Sequence, residues 1–461
     1  MIRKSMFKSL TNMTPVLIIV SLTLMTSACK VLGPDYTRPI IDVPDTYKEA
    51  AELDASKTRA TLVDKRWWTL YNDDELNLLA DQIEVQNYSV QALEARVRQA
   101  QALTEIAEAA KSPSIIAGGK NDLGIIANWE IDLWGRLKRS IEASGASTQA
   151  SQADLAGMKL SMQAQLVQNY LLLRVQDTEI RLLQDTVTSY ERSLKISKNQ
   201  YAVGVASRGD LMQAQTQLSA AQAQMHDSRV KRSQLEHTIA VLIGKAPADF
   251  SIAAAASNVS IPEIPSILPA DLLVRRPDIA AAERRVASAS AQVGVAEASA
   301  YPSLSLFAGV TIRKGIVGGT QLAAPIYPKQ TPKAGQDKAI AAYDEAVADY
   351  RQTVISGFRD VEDNLASLQI LEEASNAQTM AAKAGREAEV ITNNQFRVGV
   401  ASQQTVIAVQ AAALATERTA LGLQSRRYVA SVALIKALGG GWDSSVLENN
   451  IDEVQDNSAE H

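Results

Sequence analysis

Long stretches of this chain repeat their apolar residues with the period of a coiled coil. Segment 136–200 contains no proline, and one set of its apolar residues recurs at spacings of 7, 3, 4, 3 and 4: Leu173, Ile180, Leu183, Val187, Tyr190 and Leu194. Heptad spacing places these side chains on one seam that a second helix covers. The pattern predicts a helix roughly 95 Å long, at 1.5 Å per residue.

Two shorter segments, 113–133 and 302–328, show a different pattern. After Pro302, apolar residues occupy alternate positions, namely Leu304, Leu306, Ala308, Val310 and Ile312. A period of two with one apolar face predicts strands that face lipid or a core. No helix has 18 consecutive apolar residues, so strands would have to span any membrane. The 19 residues from Ser114 to Asp132 barely provide two spanning strands of about 9–11 residues, so we expect unusually short hairpins.

The whole pattern occurs twice. Residues 199–207 (NQYAVGVAS) return at 394–402 (NQFRVGVAS), 195 positions later, and the block from Glu94 to Ser114 returns from Glu283 to Ser303, 189 positions later. Each copy has the order helix, β-hairpin, very long helix, tight turn, long helix. Duplication with interposed strands argues against a plain dimeric coiled coil.

Each copy turns at a Val-Gly-Val-Ala-Ser sequence. Gly204 and Gly399 supply the left-handed backbone that ends a helix, and Ser207 and Ser402 are placed to cap the next helix. The sequence therefore predicts two antiparallel helical hairpins. Their tips, which include Val203 and Val398, are either simple turns or the narrow end of a tube where a partner docks.

The first residues have the features of an export signal. Arg3, Lys4 and Lys8 precede an apolar run of eleven residues, Pro15 to Met25, which is too short to span a bilayer. Thr26-Ser27-Ala28 before Cys29 resembles a bacterial lipoprotein cleavage site, although Thr26 stands where leucine is usual. We expect lipidation at Cys29; the alternative is ordinary cleavage that leaves a free thiol. Lys30, in place of an aspartate retention signal, favours the outer membrane.

Composition argues for tightly packed helices and against several kinds of site. Hydrophobic residues make up 46% of the 461 residues but aromatic residues only 5%. The net charge of −5 opposes nucleic-acid binding, and neither the single cysteine nor the three histidines form a metal-ligand cluster. Gly439–Gly441 lacks the lysine of a phosphate loop and is expected to end a helix. We therefore expect no enzyme activity, cofactor or metal.

Six motifs then identify a family resemblance. They are Gly33–Pro39 (GPDYTRP), Trp67–Tyr71 (WWTLY), Trp129–Arg136 (WEIDLWGR), Leu268–Ile279 (LPADLLVRRPDI), Tyr301–Ser303 (YPS) and Ala437–Trp442 (ALGGGW). In this order they resemble the outer-membrane efflux proteins, specifically the lipoprotein (NodT-like) branch that serves tripartite resistance-nodulation-division pumps. The motifs cover nearly the whole mature chain.

The resemblance implies a mainly α fold with a small β part. Each protomer would be a two-repeat, long-helix part of an α-barrel and would give four strands to a twelve-stranded β-barrel in a homotrimer. An inner-membrane transporter would supply energy, and a periplasmic adaptor would grip the helical tips. The chain would be a passive exit duct for small toxic compounds such as drugs, dyes, detergents or metal ions.

The resemblance also suggests which residues close the duct. Phe396 and Arg397 match the family's tip pattern, whereas Ala408 stands where relatives often have an aspartate. Asp210, near the first tip, could supply an acidic ring instead. We expect Asp210, Phe396 and Arg397 to line or lock the periplasmic aperture; for Asp210 the alternative is a solvated charge at a helix end.

These features divide the chain into five parts. We expect a signal peptide at 1–28, a lipid-anchored extended arm at 29–65, repeats at 66–250 and 268–442, and a disordered acidic tail at 443–461. Two alternatives to the small-molecule duct remain open. One is a non-conducting, lipid-anchored interaction protein, because the hairpins are short; the other is a type I duct for secreted proteins.

Overall fold

The computed structural model describes residues 31–49, 65–118, 123–255, 259–262, 269–324 and 330–447. The helices are α1 (Asp74–Gln86), α2 (Tyr88–Ala109), α3 (Arg136–Ala202), α4 (Arg208–Leu242), α5 (Leu272–Arg275), α6 (Pro277–Ala298), α7 (Gln330–Arg397) and α8 (Gln403–Ala437). The strands are β1 (Ser114–Gly118), β2 (Gly124–Ile131), β3 (Ser303–Thr311) and β4 (Gly315–Ala323). The prediction of a mainly helical chain with a small β part is confirmed.

The two copies have the predicted order of elements. α2, β1, β2, α3 and α4 form the first repeat, and α6, β3, β4, α7 and α8 form the second. The two very long helices, α3 and α7, have 67 and 68 residues and therefore extend about 100 Å. All the helices connect to the same end of the strands, so the molecule has a sheet at one end and two helical tips at the other.

The two repeats are also equivalent in their detailed contacts. Gly244 and Gly439 both have positive φ, and a Cβ on either would lie 2.2 Å from a carbonyl oxygen, that of Gln86 or of Arg275. These two glycines are 195 positions apart, and their partners are 189 apart, which are the offsets in the sequence. The duplication therefore preserves how the end of each repeat's last helix meets the helix that precedes that repeat, α1 or α5.

The predicted seam of α3 is buried against α4. Leu183, Val187, Tyr190 and Leu194 form a cluster with Ala214, Leu218, Ala221 and Met225. The partners on α4 are mostly small or flexible, which allows the two helices to lie close together along the hairpin. This seam holds the first helical tip at a fixed position.

Two larger cores lie between the tips and the sheet. The first contains Trp67 and Trp68, which are 1% and 2% exposed, together with side chains of α1, α3, α4 and α8. The second contains Tyr47 of the N-terminal arm and side chains of α6, α7 and α8. The buried hydroxyls of Tyr71 and Ser431, 2.7 Å apart, join the first repeat to the second. The two tryptophans therefore pack in the body between the sheet and the helical tips.

The ordered body extends into the predicted acidic tail. The Ser444 amide donates to the Val274 carbonyl at 2.8 Å, and Leu447 is buried beside Ala153, Ala280 and Ala281. Residues 443–447 are thus docked on the body by a backbone hydrogen bond and by the apolar side chain of Leu447, so the predicted disorder is wrong for these five residues. The remainder of the predicted tail, 448–461, lies outside the described residues, as do the predicted signal peptide and Cys29.

Candidate functional site

The first helical tip is a capped turn. At the end of α3, Gly204 has φ of +77°, and the amide of Val205 donates to the Gln200 carbonyl at 2.9 Å. The Ser207 hydroxyl accepts from the Asp210 amide at 3.1 Å, and the Asp210 carboxylate accepts from the Ser207 amide at 3.1 Å. This reciprocal capping box starts α4. The predicted glycine stop and serine cap are both confirmed.

The second tip repeats this geometry. Gly399 has φ of +80°, and the amide of Val400 donates to the Gln395 carbonyl at 2.9 Å. The Ser402 hydroxyl accepts from the amide of Thr405 at 3.2 Å. Thr405 replaces the aspartate of the first tip, so α8 begins with a hydroxyl cap and no capping carboxylate. The two tips are therefore alike in shape and different in charge.

Four valines form the outermost surface of the two tips. Val203, Val205, Val398 and Val400 are each 75% exposed. Apolar side chains held this far into solvent by a rigid turn are typical of a surface that a partner covers. Each chain therefore presents two equivalent exposed apolar surfaces, one at each helical tip.

Asp210 connects the two tips. Besides its role in the capping box, its Oδ1 accepts a hydrogen bond from Gln404 Nε2 at 3.3 Å. The hydrogen bonds from the Ser207 hydroxyl and amide, and then that from Gln404, lower the pKa of Asp210 below its ordinary value. The carboxylate therefore stays charged in neutral solution and joins α4 to α8.

The other predicted aperture residues lie at the end of α7. Phe396 is half-buried and Arg397 is exposed, and no ion pair of Arg397 occurs among the described side chains. Ala408 is exposed on the second turn of α8. The structure thus brings Asp210 beside α8 and leaves Arg397 available to a neighbouring molecule.

Sequence analysis missed the polar contacts that hold α8 against the first repeat. Arg418 Nε donates to Glu179 Oε1 at 2.9 Å, and Arg418 Nη1 donates to Gln224 Oε1 at 3.2 Å. Nearer the tip, Gln410 Nε2 donates to Ser189 Oγ at 3.2 Å. These residues are more than 190 positions from their partners in the chain, so no local pattern could identify them.

The four strands form one antiparallel sheet in the order β1-β2-β3-β4. β1 and β4 are its edges, and the two hairpins meet where Ile125 lies opposite Val310. β1 has five residues and β2 eight, so the short first hairpin is confirmed. β3 and β4 have nine residues each, which is the length expected of a spanning strand of about 9–11 residues, so the expectation of a short hairpin is wrong for the second repeat.

The register gives the sheet two different faces. On one, which we call the apolar face, lie Ile115, Ala117, Ile125, Ala127, Trp129, Ile131, Leu304, Leu306, Ala308, Val310, Ile316, Gly318, Thr320 and Leu322. On the other lie Ser114, Asn128, Glu130, Ser303, Ser305, Thr311 and Gln321, with several glycines and four larger apolar residues. Exposure reaches 89% for Ile316 on the apolar face. Among the described residues, no other element covers this apolar face, which is typical of strands in lipid.

The N-terminal arm is docked along the body. The Leu32 amide donates to the Trp134 carbonyl at 3.0 Å. The buried Arg139 donates to the Leu32 and Gly33 carbonyls at 3.1 Å each, and to Asp35 Oδ1 at 2.8 Å. Residues 31–49 form neither helix nor strand, and their contacts with the body begin three positions after Cys29.

Two further features bear on membranes and metals. Helix α8 is long and apolar enough to cross a membrane by length and composition, with a mean hydropathy of 1.2 over its best window. We expected no helix to be able to span a membrane, because none has 18 consecutive apolar residues. That criterion excludes α8, since isolated charged residues interrupt its apolar stretches. α8 packs against α7 and α3 along its length. In the part of the chain that the structure describes, no group of three or more acidic, histidine or cysteine side chains could hold a metal.

Comparison with known proteins agrees with this architecture. The family profile "Outer membrane efflux protein" matches residues 79–245 and 268–440. The chain is 30% identical over 429 residues to the pyoverdine export outer membrane protein OpmQ of Pseudomonas putida KT2440, covering 85% of this chain and 91% of that protein. It is 23% identical over 442 residues to the cation efflux system protein CusC of Escherichia coli O6:H1, covering 89% and 95%.

Solved structures show the same fold. The outer-membrane channel OprN superposes with a TM-score of 0.81 at 25% identity, covering 89% of this chain and 99% of that one. The Campylobacter jejuni CmeC outer membrane channel superposes with a TM-score of 0.83 at 20% identity, covering 92% and 98%. The two matched segments are the two repeats, and together they span most of the chain. The chain therefore belongs to the outer membrane efflux protein family.

Proposed function

We propose that three copies of this chain form the outer-membrane exit duct of a tripartite efflux pump. Each copy gives four strands to a twelve-stranded barrel, and its long helices form a tube that reaches into the periplasm. The duct is passive, and small toxic compounds leave through it. The observation that carries the proposal is the four-stranded sheet. Its apolar face is exposed, and the outer sides of its two edge strands, β1 and β4, pair with no other described strand.

An open sheet cannot stay in lipid. Each unpaired backbone group in hydrocarbon costs several kcal/mol, so only a closed barrel removes the cost. Closure by β4 of one copy against β1 of the next satisfies both edges. It also places Asn128, Glu130, Ser305 and Gln321 inside the barrel, where water fills the lumen. This supports a conducting duct over the alternative of a non-conducting interaction protein.

The helical tips are the proposed site at which the duct closes and at which the periplasmic adaptor docks. The exposed valines at Val203 and Val398, with Gly204, Ser207, Gly399 and Ser402 shaping the turns, suit an apolar surface on a periplasmic adaptor. The link between Asp210 and Gln404, with Phe396 and Arg397 nearby, suits a constriction that opens when the second hairpin moves away from the first. An inner-membrane transporter of the resistance-nodulation-division type is the proposed source of energy.

The proposed anchor is a lipid on Cys29. Because the arm is bound to the body from Leu32 onward, a lipid at Cys29 would lie close to Trp134, at the helical end of the strands. That is the level at which a membrane-inserted barrel meets the inner leaflet. We therefore place the chain in the outer membrane, with a long periplasmic extension.

The relatives suggest the class of cargo. Their names refer to pyoverdine, antibiotics, toluene and cations, which are all small but chemically unlike one another. A duct whose relatives carry such different compounds takes its selectivity from the pump. This supports a small-molecule duct over a type I duct for secreted proteins.

Native mass spectrometry of protein extracted from purified outer membranes tests the proposal. We expect a trimer carrying lipid on Cys29. A monomer in that membrane would mean that the short hairpins do not close a barrel. A Cys29→Ser variant separates the two claims, because it removes the lipid and leaves the strands unchanged.

A further inference from the structure

The apolar face of the sheet is a band bounded at both ends. At the outer end, β3 and β4 are joined by Ile312, Arg313 and Lys314, so two cations follow directly on the band. At the helical end, Trp129 Nε1 donates to the Lys111 carbonyl at 2.8 Å. That hydrogen bond fixes the polar end of α2, with an exposed lysine, at the level of Trp129.

Aromatic residues mark the same helical end. Trp129 is 41% exposed on the apolar face. Just below it, the rings of Trp134 and Tyr301 stack with centroids 4.9 Å apart, and Trp134 Nε1 donates to the Pro302 carbonyl at 2.7 Å. Tryptophan and tyrosine prefer the membrane–water interface, because their rings are apolar and their polar atoms need partners. The inner boundary of the hydrocarbon therefore lies near Trp129.

The height of the band follows from the register. From Trp129 to Leu123, which lies beside Ile312, there are six residue steps, or about 20 Å along the strand. A barrel strand tilts by about 40°, which reduces this to about 16 Å along the membrane normal. Including the row below, with Ile131, Leu304 and Leu322, raises the value to about 21 Å.

The band is thinner still at the edge of the sheet. On β1 the apolar face carries only Ile115 and Ala117 before the strand gives way to Pro113 and the turn after α2. On β4 the middle of the face is Gly318 and Thr320, which offer little apolar surface. These are the two strands that meet between neighbouring copies in a closed barrel.

A barrel in the outer membrane presents an apolar band of about 25 Å. We propose that the lipid partner of this sheet is a thinned bilayer, so that the trimer compresses the surrounding hydrocarbon by several ångströms, most strongly where β4 of one copy meets β1 of the next. The inference rests on the proposed barrel. A mismatch of this kind costs a fraction of a kcal/mol per ångström, so thin membranes are favoured.

Insertion of the purified full-length protein into vesicles of two thicknesses tests the inference. The vesicles are dilauroyl phosphatidylcholine, which is thin, and dioleoyl phosphatidylcholine, which is thick. Flotation measures the inserted protein at equilibrium, and native mass spectrometry measures its trimer fraction. We expect about tenfold more inserted trimer in the thin vesicles.

A lengthened variant controls for the general ease of insertion into thin lipid. It carries one alternating Thr-Leu pair on each side of both turns, which adds two residues to every strand and about 5 Å to the band. The matched control carries the same added residues after Leu447. We expect the lengthened variant to lose most of the preference for thin vesicles and the matched control to keep it.

The outcomes separate this inference from the proposed function. Trimers that insert equally into both vesicles, or a lengthened variant that keeps the original ratio, would overturn the thinned bilayer and leave the barrel intact. Protein that floats only as monomer in both vesicles would overturn both proposals. The inference is supported when the ratio of inserted trimer in thin to thick vesicles falls in the lengthened variant and not in the matched control.

Discussion

At the scale of single residues, the clearest contributions to stability are made by buried charges. Asp177 is 1% exposed and accepts hydrogen bonds from Arg174 Nη1 at 3.2 Å, Arg232 Nε at 2.7 Å and the Ala255 amide at 3.2 Å. It therefore joins α3, α4 and the segment that follows α4. Asp177 thus pairs with two largely buried arginines, which also pair with Glu75 and Glu236 respectively.

Replacing Asp177 with alanine should strongly destabilise the body. Removing one partner of a buried ion pair costs about 3–5 kcal/mol when the charge left behind is uncompensated. Because Arg174 and Arg232 keep Glu75 and Glu236 as second partners, we expect a cost near or below the lower end of that range. We expect a clear fall in the urea midpoint followed by tryptophan fluorescence, since Trp67 and Trp68 lie in the adjoining core. Asp227→Ala is the matched control, because Asp227 pairs with Lys231 on the exposed face of α4. Equal midpoints for the two variants would contradict the account.

The paired glycines give a second prediction at this scale. Gly244→Ala and Gly439→Ala each place a Cβ 2.2 Å from a carbonyl oxygen on a backbone with positive φ. We expect each change to cost about 2 kcal/mol or more. Gly422→Ala should instead be neutral or slightly stabilising, because a Cβ there meets nothing within 4 Å and the site is helical. Thermal denaturation of the three variants would reveal the difference, and a harmless Gly244→Ala would contradict it.

At the scale of elements, the two helical hairpins are alike in shape, but the contact that joins their tips is asymmetric. The capping carboxylate of the first tip reaches Gln404 on the second, and the second tip has no carboxylate to return the contact. α8 is further held to the first repeat through Arg418 and Gln410. Movement of α7 and α8 away from α3 and α4 therefore has to break a short series of polar contacts that begins at Asp210.

Asp210→Ala should make cells more permeable to large antibiotics. Arg397→Ala should act in the same direction, as expected for a second aperture residue. Ser207→Ala removes the cap and leaves the Asp210 carboxylate facing Gln404, so it should leak less than Asp210→Ala. Growth inhibition by vancomycin measures the leak, and Asp227→Ala should match the unmodified protein. Unchanged permeability of the Asp210 and Arg397 variants would refute their assignment to the aperture.

The pH dependence of this contact follows from its charge. Hydrogen bonds from Ser207 lower the pKa of Asp210 below 3.8. A carboxylate whose pKa is lowered in the folded state contributes its full stabilisation at pH values above its ordinary pKa. That stabilisation is lost as the pH falls through the lowered pKa. We therefore expect the Asp210 contact to keep its full strength at neutral and mildly acidic pH.

The exposed valines give a prediction about docking. Val203→Ser together with Val398→Ser removes apolar surface from both tips and leaves the glycine turns and serine caps in place. We expect this double variant to co-purify with much less adaptor while remaining trimeric. Val230→Ser, in the middle of α4 and 54% exposed, is the matched control. Undiminished co-purification would mean that the adaptor binds elsewhere.

At the scale of the whole molecule, the N-terminal arm binds both repeats. It contacts Arg139 of α3 near the sheet, and farther along Arg38 donates to the Tyr350 hydroxyl at 3.0 Å and to the Leu273 carbonyl at 3.0 Å. The backbone amides of Lys48 and Glu49 donate to the Glu362 carboxylate on α7 at 2.8 and 3.0 Å. The arm is therefore part of the folded body over residues 31–49.

Arg139→Ala should loosen this arm without unfolding the tube. The change removes three acceptor contacts, those to Leu32, Gly33 and Asp35. Trypsin should then cleave after Lys48 several times faster than in the unmodified protein, whereas Arg38 is protected from trypsin by the proline that follows it. Lys138→Ala is the control, because Lys138 makes only a 3.9 Å pair with Glu142 on the exposed side. Equal cleavage rates would show that the arm is held by other contacts.

Local patterns predicted most of the elements correctly. The heptad seam of α3, the strands after Pro113 and Pro302, and the capped turns at Ser207 and Ser402 each depend on residues within one or two turns of each other. Backbone conformation at such sites is set by steric limits and by nearby hydrogen bonds. The duplication then extended each assignment from one half of the chain to the other. The order of elements and the geometry of the tips could therefore be predicted from the sequence.

Contacts between distant parts of the chain could not be predicted from such local patterns. The pairing of β2 with β3 places Ile125 opposite Val310, and only that register shows which residues share the apolar face. Arg139 meets Leu32 across 107 positions, Asp177 meets Arg232 across 55, and Asp210 meets Gln404 across 194. Each contact exists because helices pack in one arrangement among many that local preferences allow. The periodicity of the chain determined its elements and its repeats, whereas the faces, the buried charges and the link between the tips depend on long-range packing.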